Sequence, residues 1–293
     1  MRCLVFGGDG MLGHQLLASL SARHEVRVTL RRTPADYTPY GLFHSGNSYY
    51  GVDVERPETV EPIFAEFRPE AVVNAAGVIK QRREIDPRQM LEVNAVFPRR
   101  LHALCRIYDS RLVQLSTDCV FSGRRGGYGP DDAIDAEDVY GLSKYLGELN
   151  DAPAITLRSS IIGLELARKT GLVEWFLAQR GTIRGYTRAI YSGLTTIEMA
   201  RVVELCLTDH RNLCGVWQPA SQPIDKFDLL SRLSRKLSRH DLTIEPDDSF
   251  VCDRSLSGRE FTARTGYRAP NWNVMLDELV AQVRERGDLS YAA

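Results

Sequence analysis

Short apolar runs alternate with amphipathic stretches through the first half of the chain. Residues 2–6 (RCLVF) are apolar and stop at Gly7. Residues 11–22 carry Leu12, Leu16, Leu17 and Leu20 on one helical face. Residues 25–31 (EVRVTLR) are β-branched in alternation and predict a strand. The unit then repeats. Strands are predicted at 49–52, 71–75, 112–116 and 154–157, and helices at 57–67, 87–108 and 140–149. Such alternation predicts a parallel sheet with right-handed crossovers. After Arg158 the pattern weakens. Helices are predicted at 172–180, 197–207, 226–237 and 274–286, separated by mixed segments without a repeat or a low-complexity linker. The expected fold class is α/β: a Rossmann-type doubly wound parallel sheet followed by a smaller C-terminal α/β lobe.

The first strand runs into GGDGMLG at residues 7–13, and a helix follows. In that setting Gly7 permits a tight turn, Gly10 lets backbone approach a pyrophosphate, and Gly13 lets helix and strand pack closely. The N–H groups of Met11 and Leu12 then point at the phosphates from the helix N-terminus. A plain strand–helix turn would account for the same glycines, but the successive βαβ units favour dinucleotide binding. The second strand ends Thr29-Leu30-Arg31-Arg32 without the acid that usually holds the NAD ribose. Arg31 and Arg32 suit a 2′-phosphate instead, so NADPH is the expected cofactor, with NADH the alternative.

Composition narrows the classes without naming one. Apolar residues are 43% and charged residues 26%, with a net charge of −1, which gives no footprint for nucleic acid. The arginine dyads 31–32, 82–83 and 99–100 read as solvated surface rather than polyanion tracts. The six cysteines form no Cys-x-x-Cys pair and no zinc-ligand spacing with histidine, which predicts reduced thiols, a cytoplasmic location and no metal. No signal peptide is read at residue 1, and no apolar run approaches the ~18 residues of a membrane span.

One pair stands out. Tyr140 and Lys144, in VYGLSKYLGE, are one helical turn apart and share a face. With 12 Tyr and 5 Lys in 293 residues, chance supplies about 0.2 such pairs. A phenol with pKa near 10 is a poor proton donor at neutral pH, and a neighbouring ammonium stabilises its phenolate. Tyr145 and Leu146 are expected to pack, while Tyr140 and Lys144 face the cofactor.

With the glycine loop, the Tyr-x-x-x-Lys pair and LSTDCVFSG at 115–123, the sequence resembles the extended short-chain dehydrogenase/reductase family, dTDP-4-dehydrorhamnose reductase type. NAAG at 74–77, Asp53-Val54, Asn94 in EVNAVFP and TGYRAPNWNVMLDEL at 265–279 extend the likeness over nearly the whole chain. The resemblance implies reduction of the 4-keto group of a dTDP- or UDP-linked 4-keto-6-deoxy sugar, in deoxysugar or surface polysaccharide biosynthesis. It implies that Gly7, Gly10 and Gly13 cradle the pyrophosphate, that Asp53 and Val54 border the adenine, and that Ala75, Ala76 and Gly77 pass the ribose. Asn94 joins the cofactor set. Thr117, Tyr140 and Lys144 form the catalytic set, Lys144 also reaching the nicotinamide ribose, and Thr117 hydrogen-bonds the developing alkoxide. Asp118 and Cys119 line the substrate pocket. The region 182–199 is expected to return to the active-site rim, with Arg184 and Arg188 as partners for the substrate diphosphate. Residues 1–160, with a return segment about 190–215, are the expected NADP-binding domain; about 161–189 and 216–293 form the substrate lobe. The resemblance leaves a homodimer open.

Departures from the family pattern discriminate among activities. Thr-Asp-Cys at 117–119 lacks the acid of the 4,6-dehydratases, which carry Thr-Asp-Glu. A cysteine two residues after the hydroxyl resembles the GDP-fucose synthases, where it is an epimerisation base, but no histidine lies between residues 103 and 209 to complete that chemistry. Cys119 is therefore read as a pocket wall, with a bifunctional epimerase/reductase as the alternative. Gln15 stands where rhamnose reductases carry a magnesium-binding glutamate, so no such metal is expected. A non-catalytic NADP-binding regulatory subunit is the alternative of another class.

Overall fold

A computed structural model describes residues 1–79, 86–167 and 169–287. The arginine dyad at 82–83 lies outside them. In chain order the elements are β1 (Arg2–Phe6), α1 (Gly13–Leu20), β2 (Glu25–Thr29), α2 (Pro34–Tyr37), β3 (Ser48–Tyr49), α3 (Pro57–Phe67), β4 (Ala71–Asn74), α4 (Pro87–Leu91), α5 (Phe97–Ile107), β5 (Arg111–Ser116), α6 (Val139–Leu146) and β6 (Ala154–Arg158). There follow β7 (Ile161–Ile162), α7 (Leu172–Leu177), β8 (Gly181–Tyr186), β9 (Ala189–Tyr191), β10 (Leu194–Thr195), α8 (Thr196–Thr208), β11 (Gly215–Trp217), β12 (Ile224–Asp225), α9 (Lys226–Lys236), β13 (Leu242–Asp247), β14 (Cys252–Asp253), α10 (Arg259–Thr265) and α11 (Trp272–Glu285).

The chain divides into two units. The first comprises Met1–Thr117, Glu137–Arg158 and Ala200–Trp217. Its seven strands form one parallel sheet in the order β11-β6-β5-β4-β1-β2-β3. This is the doubly wound topology, with the order reversing between β1 and β4. The central strands are buried end to end; most of their positions are apolar, and the buried amides of Asn74 and Gln114 pair with each other at 2.8 Å. Phe6, Phe64, Phe97, Leu101 and Leu112 form the core beneath helices α3 and α5. Phe6 meets Phe97 edge-on with ring centroids 5.2 Å apart. Each such side chain contributes about 1.5–3 kcal/mol on burial.

The predicted long helix at 87–108 is interrupted. α4 and α5 are joined by a π-helical turn at Glu92–Val96. Pro98 explains the break: it has no N–H to give the Asn94 carbonyl four residues earlier, so the ladder widens there. α6 is capped by Asp138, whose carboxylate accepts from Gly141 N at 2.8 Å, an interaction worth about 1 kcal/mol. Tyr145 and Leu146, expected to pack, are 43% and 47% exposed, because they lie on the outer face of α6.

The second unit comprises Asp118–Ala136, Ser159–Met199 and Gln218–Ala293. It holds three small sheets: β10-β7, β12-β9-β14, and β13-β8. Most of these strands have two or three residues, too short for a period-2 pattern to register. α11 is capped by Asn271, which accepts from Asn273 N and Val274 N, and buries Met275, Leu276, Leu279 and Val283. Arg286 closes that end on Glu174, with Nη1–Oε1 at 2.6 Å. No helix among the described residues is long and apolar enough to cross a membrane.

Candidate active site

In the first unit the glycine loop is held by close backbone approaches. Gly7 has φ +81°, and a Cβ on it would come within 2.8 Å of Ala76 Cα. A Cβ on Gly13 would overlap the Gly7 carbonyl oxygen. The loop thus packs against Ala75–Ala76 while α1 packs against the loop. Gly10 N donates to Gly7 O at 3.0 Å. The N–H groups of Leu12, the N-cap, and Gly13 lie at the start of α1, where a helix offers no acceptor of its own, and Met11 precedes them. This cradle fits a pyrophosphate.

Arg31 and Arg32 are exposed just beyond the end of β2. The structure adds two neighbours that the sequence did not suggest. Tyr37, the last residue of α2, donates its hydroxyl to Asp9 Oδ2 at 3.1 Å and accepts from Arg32 N at 3.3 Å. Burial and the Asp9 charge push the Tyr37 phenol up to about 12. Asp53 Oδ1 accepts from Glu55 N, and its carboxylate lies 3.8 Å from Arg56 Nε. Val54 lines a cavity of about 360 Å³ with Pro57, Val60, Phe97 and Leu104. It also packs, as Tyr140 does, on the Val78–Met90–Val93 cluster.

Beyond Gly77 the site tightens. Asn94, carried by the π turn, is a clip: its Oδ1 accepts from Val78 N, and its Nδ2 donates to Val78 O and Ser143 Oγ. It therefore ties the loop after β4 to α6. Gly147 completes the clip, since a Cβ there would overlap the Asn94 carbonyl oxygen.

Lys144 lies behind this loop, 8% exposed. Its ammonium donates to the Leu115 carbonyl at 2.6 Å, two residues before Thr117. A Cβ on Gly77 would come 4.0 Å from Lys144 Nζ, so the glycine lies next to the ammonium. Burial brings the Lys144 pKa down to about 8, although the Glu148 carboxylate pulls upward. Glu148 is buried in a bidentate pair with Arg158, at 2.7 Å for each bond, and accepts from Ser116 Oγ at 2.6 Å. Its spacing of four from Lys144 was the only sequence signal for it. Thr117 is buried at the end of β5.

In the second unit Asp118 and Cys119 begin a turn and are joined by a 3.5 Å thiol–carboxylate hydrogen bond. The two arginines predicted for the diphosphate do not join them. The Arg184 side chain is 74% exposed and lies 3.5 Å from Asp247, and Arg188 is exposed. Arg254, unread in the sequence, is the arginine at Cys119, with Nη1 3.6 Å from the sulfur. None of the six cysteines is in a disulfide, and burial pushes Cys3 and Cys206 up to about 12. Gln15 gives its amide hydrogen to Ser19 Oγ at 2.9 Å.

Comparison with known proteins places this arrangement. The model of the RmlD substrate binding domain matches residues 1–157. A dTDP-4-dehydrorhamnose reductase of Streptomyces griseus is 36% identical over 149 residues, 50% of this chain and 43% of that protein. A dTDP-4-keto-6-deoxy-D-glucose reductase of Streptomyces niveus is 32% identical over 149 residues, 50% of this chain and 46% of its own. The match thus spans less than half the length of either relative. Among solved structures, a dTDP-4-dehydrorhamnose reductase from Bacillus anthracis in complex with NADP superposes with TM-score 0.76 at 19% identity, covering 96% of this chain and 99% of that one. A hypothetical dTDP-4-dehydrorhamnose reductase from Sulfolobus tokodaii gives 0.76 at 24% identity, covering 93% and 98%. At those identities the superpositions speak for the fold, while the family model covers more than half of the chain. The chain belongs to the RmlD substrate binding domain family and is an RmlD-like extended short-chain dehydrogenase/reductase.

Proposed function

We propose that this chain reduces the 4-keto group of a nucleotide-diphospho-4-keto-6-deoxy sugar, dTDP- or UDP-linked, and uses NADPH to do so. The observation that carries the reading is the Lys144 ammonium, buried against the Leu115 carbonyl and beside Gly77. Burying an ammonium there costs folding free energy that a methionine would not. The ammonium's charge has a use if a phenolate or a ribose hydroxyl is to be held in front of it.

Gly7, Gly10, Met11, Leu12 and Gly13 would hold the pyrophosphate, Asp53 and Val54 the adenine, and Ala75, Ala76 and Gly77 the ribose. Arg31 and Arg32 would hold a 2′-phosphate. When bound, the dinucleotide supplies a hydride to the carbonyl carbon. The chain's own task is the oxygen. Tyr140 hands its phenolic proton to the carbonyl oxygen, and Lys144, still protonated at neutral pH, stabilises the phenolate left behind. Thr117 donates a hydrogen bond to the same oxygen, an aid of at most a few kcal/mol. Asn94 and Gly147 keep Lys144 and Ser143 against the cofactor loop.

The test is NADPH consumption with dTDP- and UDP-linked 4-keto-6-deoxy sugars, run beside Tyr140→Phe. The variant is expected to lose turnover and keep its NADPH affinity. Turnover in Tyr140→Phe refutes the assignment. Tight NADPH binding with no consumption by the wild type across the panel would mark a non-catalytic subunit instead.

A further inference from the structure

Glu148 stands four residues after Lys144, and the proposed chemistry gives it no role. It is 5% exposed, just past the end of α6. Its Oε1 accepts from Ser116 Oγ at 2.6 Å and from Arg158 Nε at 2.7 Å, and its Oε2 accepts from Arg158 Nη2 at 2.7 Å. Arg158 ends β6 and is paired with Ser116, which ends β5. Both are buried. The carboxylate therefore lies where two neighbouring strands finish. Glu148 N donates to the Tyr145 carbonyl at 3.0 Å, and Leu149 N donates to Thr156 Oγ1 at 2.9 Å. The backbone around Glu148 is thus anchored to α6 on one side and to β6 on the other.

A buried ion pair is a poor device for stability alone. Desolvation offsets most of its attraction, and apolar residues of similar volume often serve the fold as well or better. What this pair does hold is the end of a strand. β5 finishes with Leu115 and Ser116, and Thr117 is the next residue. Lys144 grips the Leu115 carbonyl at 2.6 Å, and Glu148 grips the Ser116 hydroxyl at 2.6 Å. Both grips come from the segment that carries Tyr140. They fix the two residues before Thr117 against α6, and with them the separation of Thr117 from Tyr140. Arg158 keeps the carboxylate from turning, because two parallel bonds from one guanidinium leave it a single orientation. A misplacement of about 1 Å in groups that must act together costs a reaction about a hundredfold.

The same carboxylate bears on the Lys144 proton. Around that ammonium stand the Leu115 carbonyl of β5, Gly77 with Asn94 Oδ1 across it, Tyr140 one turn earlier on α6, and Glu148 with Arg158 behind it. Burial works against the proton, and the Glu148 charge works for it. We propose that Glu148, held by Arg158, is a positioning residue that fixes Thr117 and Lys144 relative to Tyr140 for delivery of the proton. It acts through Ser116 and Lys144 and touches neither substrate nor cofactor. This rests on the reading of the chain as a keto-sugar reductase.

The test compares the full chain with Glu148→Met/Arg158→Met and with Ser116→Ala. The double variant leaves no charge of the pair buried alone, so it should unfold in urea near the wild-type midpoint. NADPH affinity by fluorescence titration, and KM for dTDP- or UDP-linked 4-keto-6-deoxy sugars, should stay within about threefold of wild type. Its kcat should fall about ten- to a hundredfold. The pH above which its turnover declines should lie below that of the wild type, expected at about 8. Ser116→Ala keeps both charges, so its kcat should fall by about threefold or more with that pH unmoved. Wild-type kcat in either folded variant overturns the positioning role and leaves the reductase reading standing. Equal losses of kcat and NADPH affinity overturn it too, since they mark a general loosening of the site. If the double variant does not fold, Ser116→Ala decides: a lower kcat at wild-type NADPH affinity upholds the role, and any other result overturns it. Absence of turnover by the wild type on every sugar overturns the role together with the reading beneath it.

Discussion

Lys144→Met separates the cost of the buried ammonium from its use. In the folded chain Lys144 titrates at about 8, against 10.5 for an ordinary lysine. At pH 7 the folded state therefore holds a proton that burial disfavours, at a cost of about 3 kcal/mol. Between pH 8 and 10.5 the unfolded lysine keeps its proton and the folded one has lost it. The unfolded state then binds more protons, so this group's contribution to stability rises with pH. From pH 7 to pH 9 the gain is roughly 1 kcal/mol. Methionine fills similar volume and has no such dependence. It also leaves the Leu115 carbonyl without its donor, a cost of about 1–3 kcal/mol that does not change with pH. Urea unfolding of both proteins at pH 7 and pH 9, without cofactor, isolates the difference. The wild type should gain on Lys144→Met by roughly 1 kcal/mol across that interval. In the same proton's account, wild-type turnover should decline as pH rises through about 8, while Lys144→Met should be inactive throughout. A stability difference that is flat between the two pH values, or that moves the other way, refutes the reasoning.

Two further outcomes are expected. Arg31→Ala should weaken NADPH far more than NADH, by about tenfold or more for a lost phosphate contact; equal weakening of both in a fluorescence titration would remove the 2′-phosphate role. Gly147→Ala places a methyl against the Asn94 carbonyl, which α6 can relieve only by moving away, so a loss of about 1–3 kcal/mol in urea unfolding and a fall in kcat are expected. Wild-type stability there would mean that the clip between the π turn and α6 is loose.

The first unit was largely legible because its physics is local. Strands buried on both faces are apolar at most positions, and Val72, Val73, Leu112 and Val113 supply that signal. The glycine loop was legible because steric exclusion leaves no other residue at Gly7 or Gly13. The π turn was hidden, since its cause is a single proline inside an otherwise helical stretch. Tyr145 and Leu146 misled because apolar character reports burial only when the neighbouring element is known. The second unit was read least well. Tyr191, Lys226 and Arg254 meet through strands of two and three residues, and such pairings leave no periodicity to follow. Asp9 and Tyr37 met for a similar reason, through one short helical turn.

The route of the chain sets a timetable for synthesis. β6 is not the edge of the parallel sheet; β11 is, and it is made of residues 215–217. A nascent chain that has emerged as far as Arg158 has six of the seven strands, yet one flank of β6 still presents bare N–H and C=O groups. The stretch that carries the family's motifs therefore ends on a strand whose partner is made about sixty residues later. Until Trp217 is made, that flank is open to pairing with any other extended chain, and the interval is a window for chaperone contact or for misassembly.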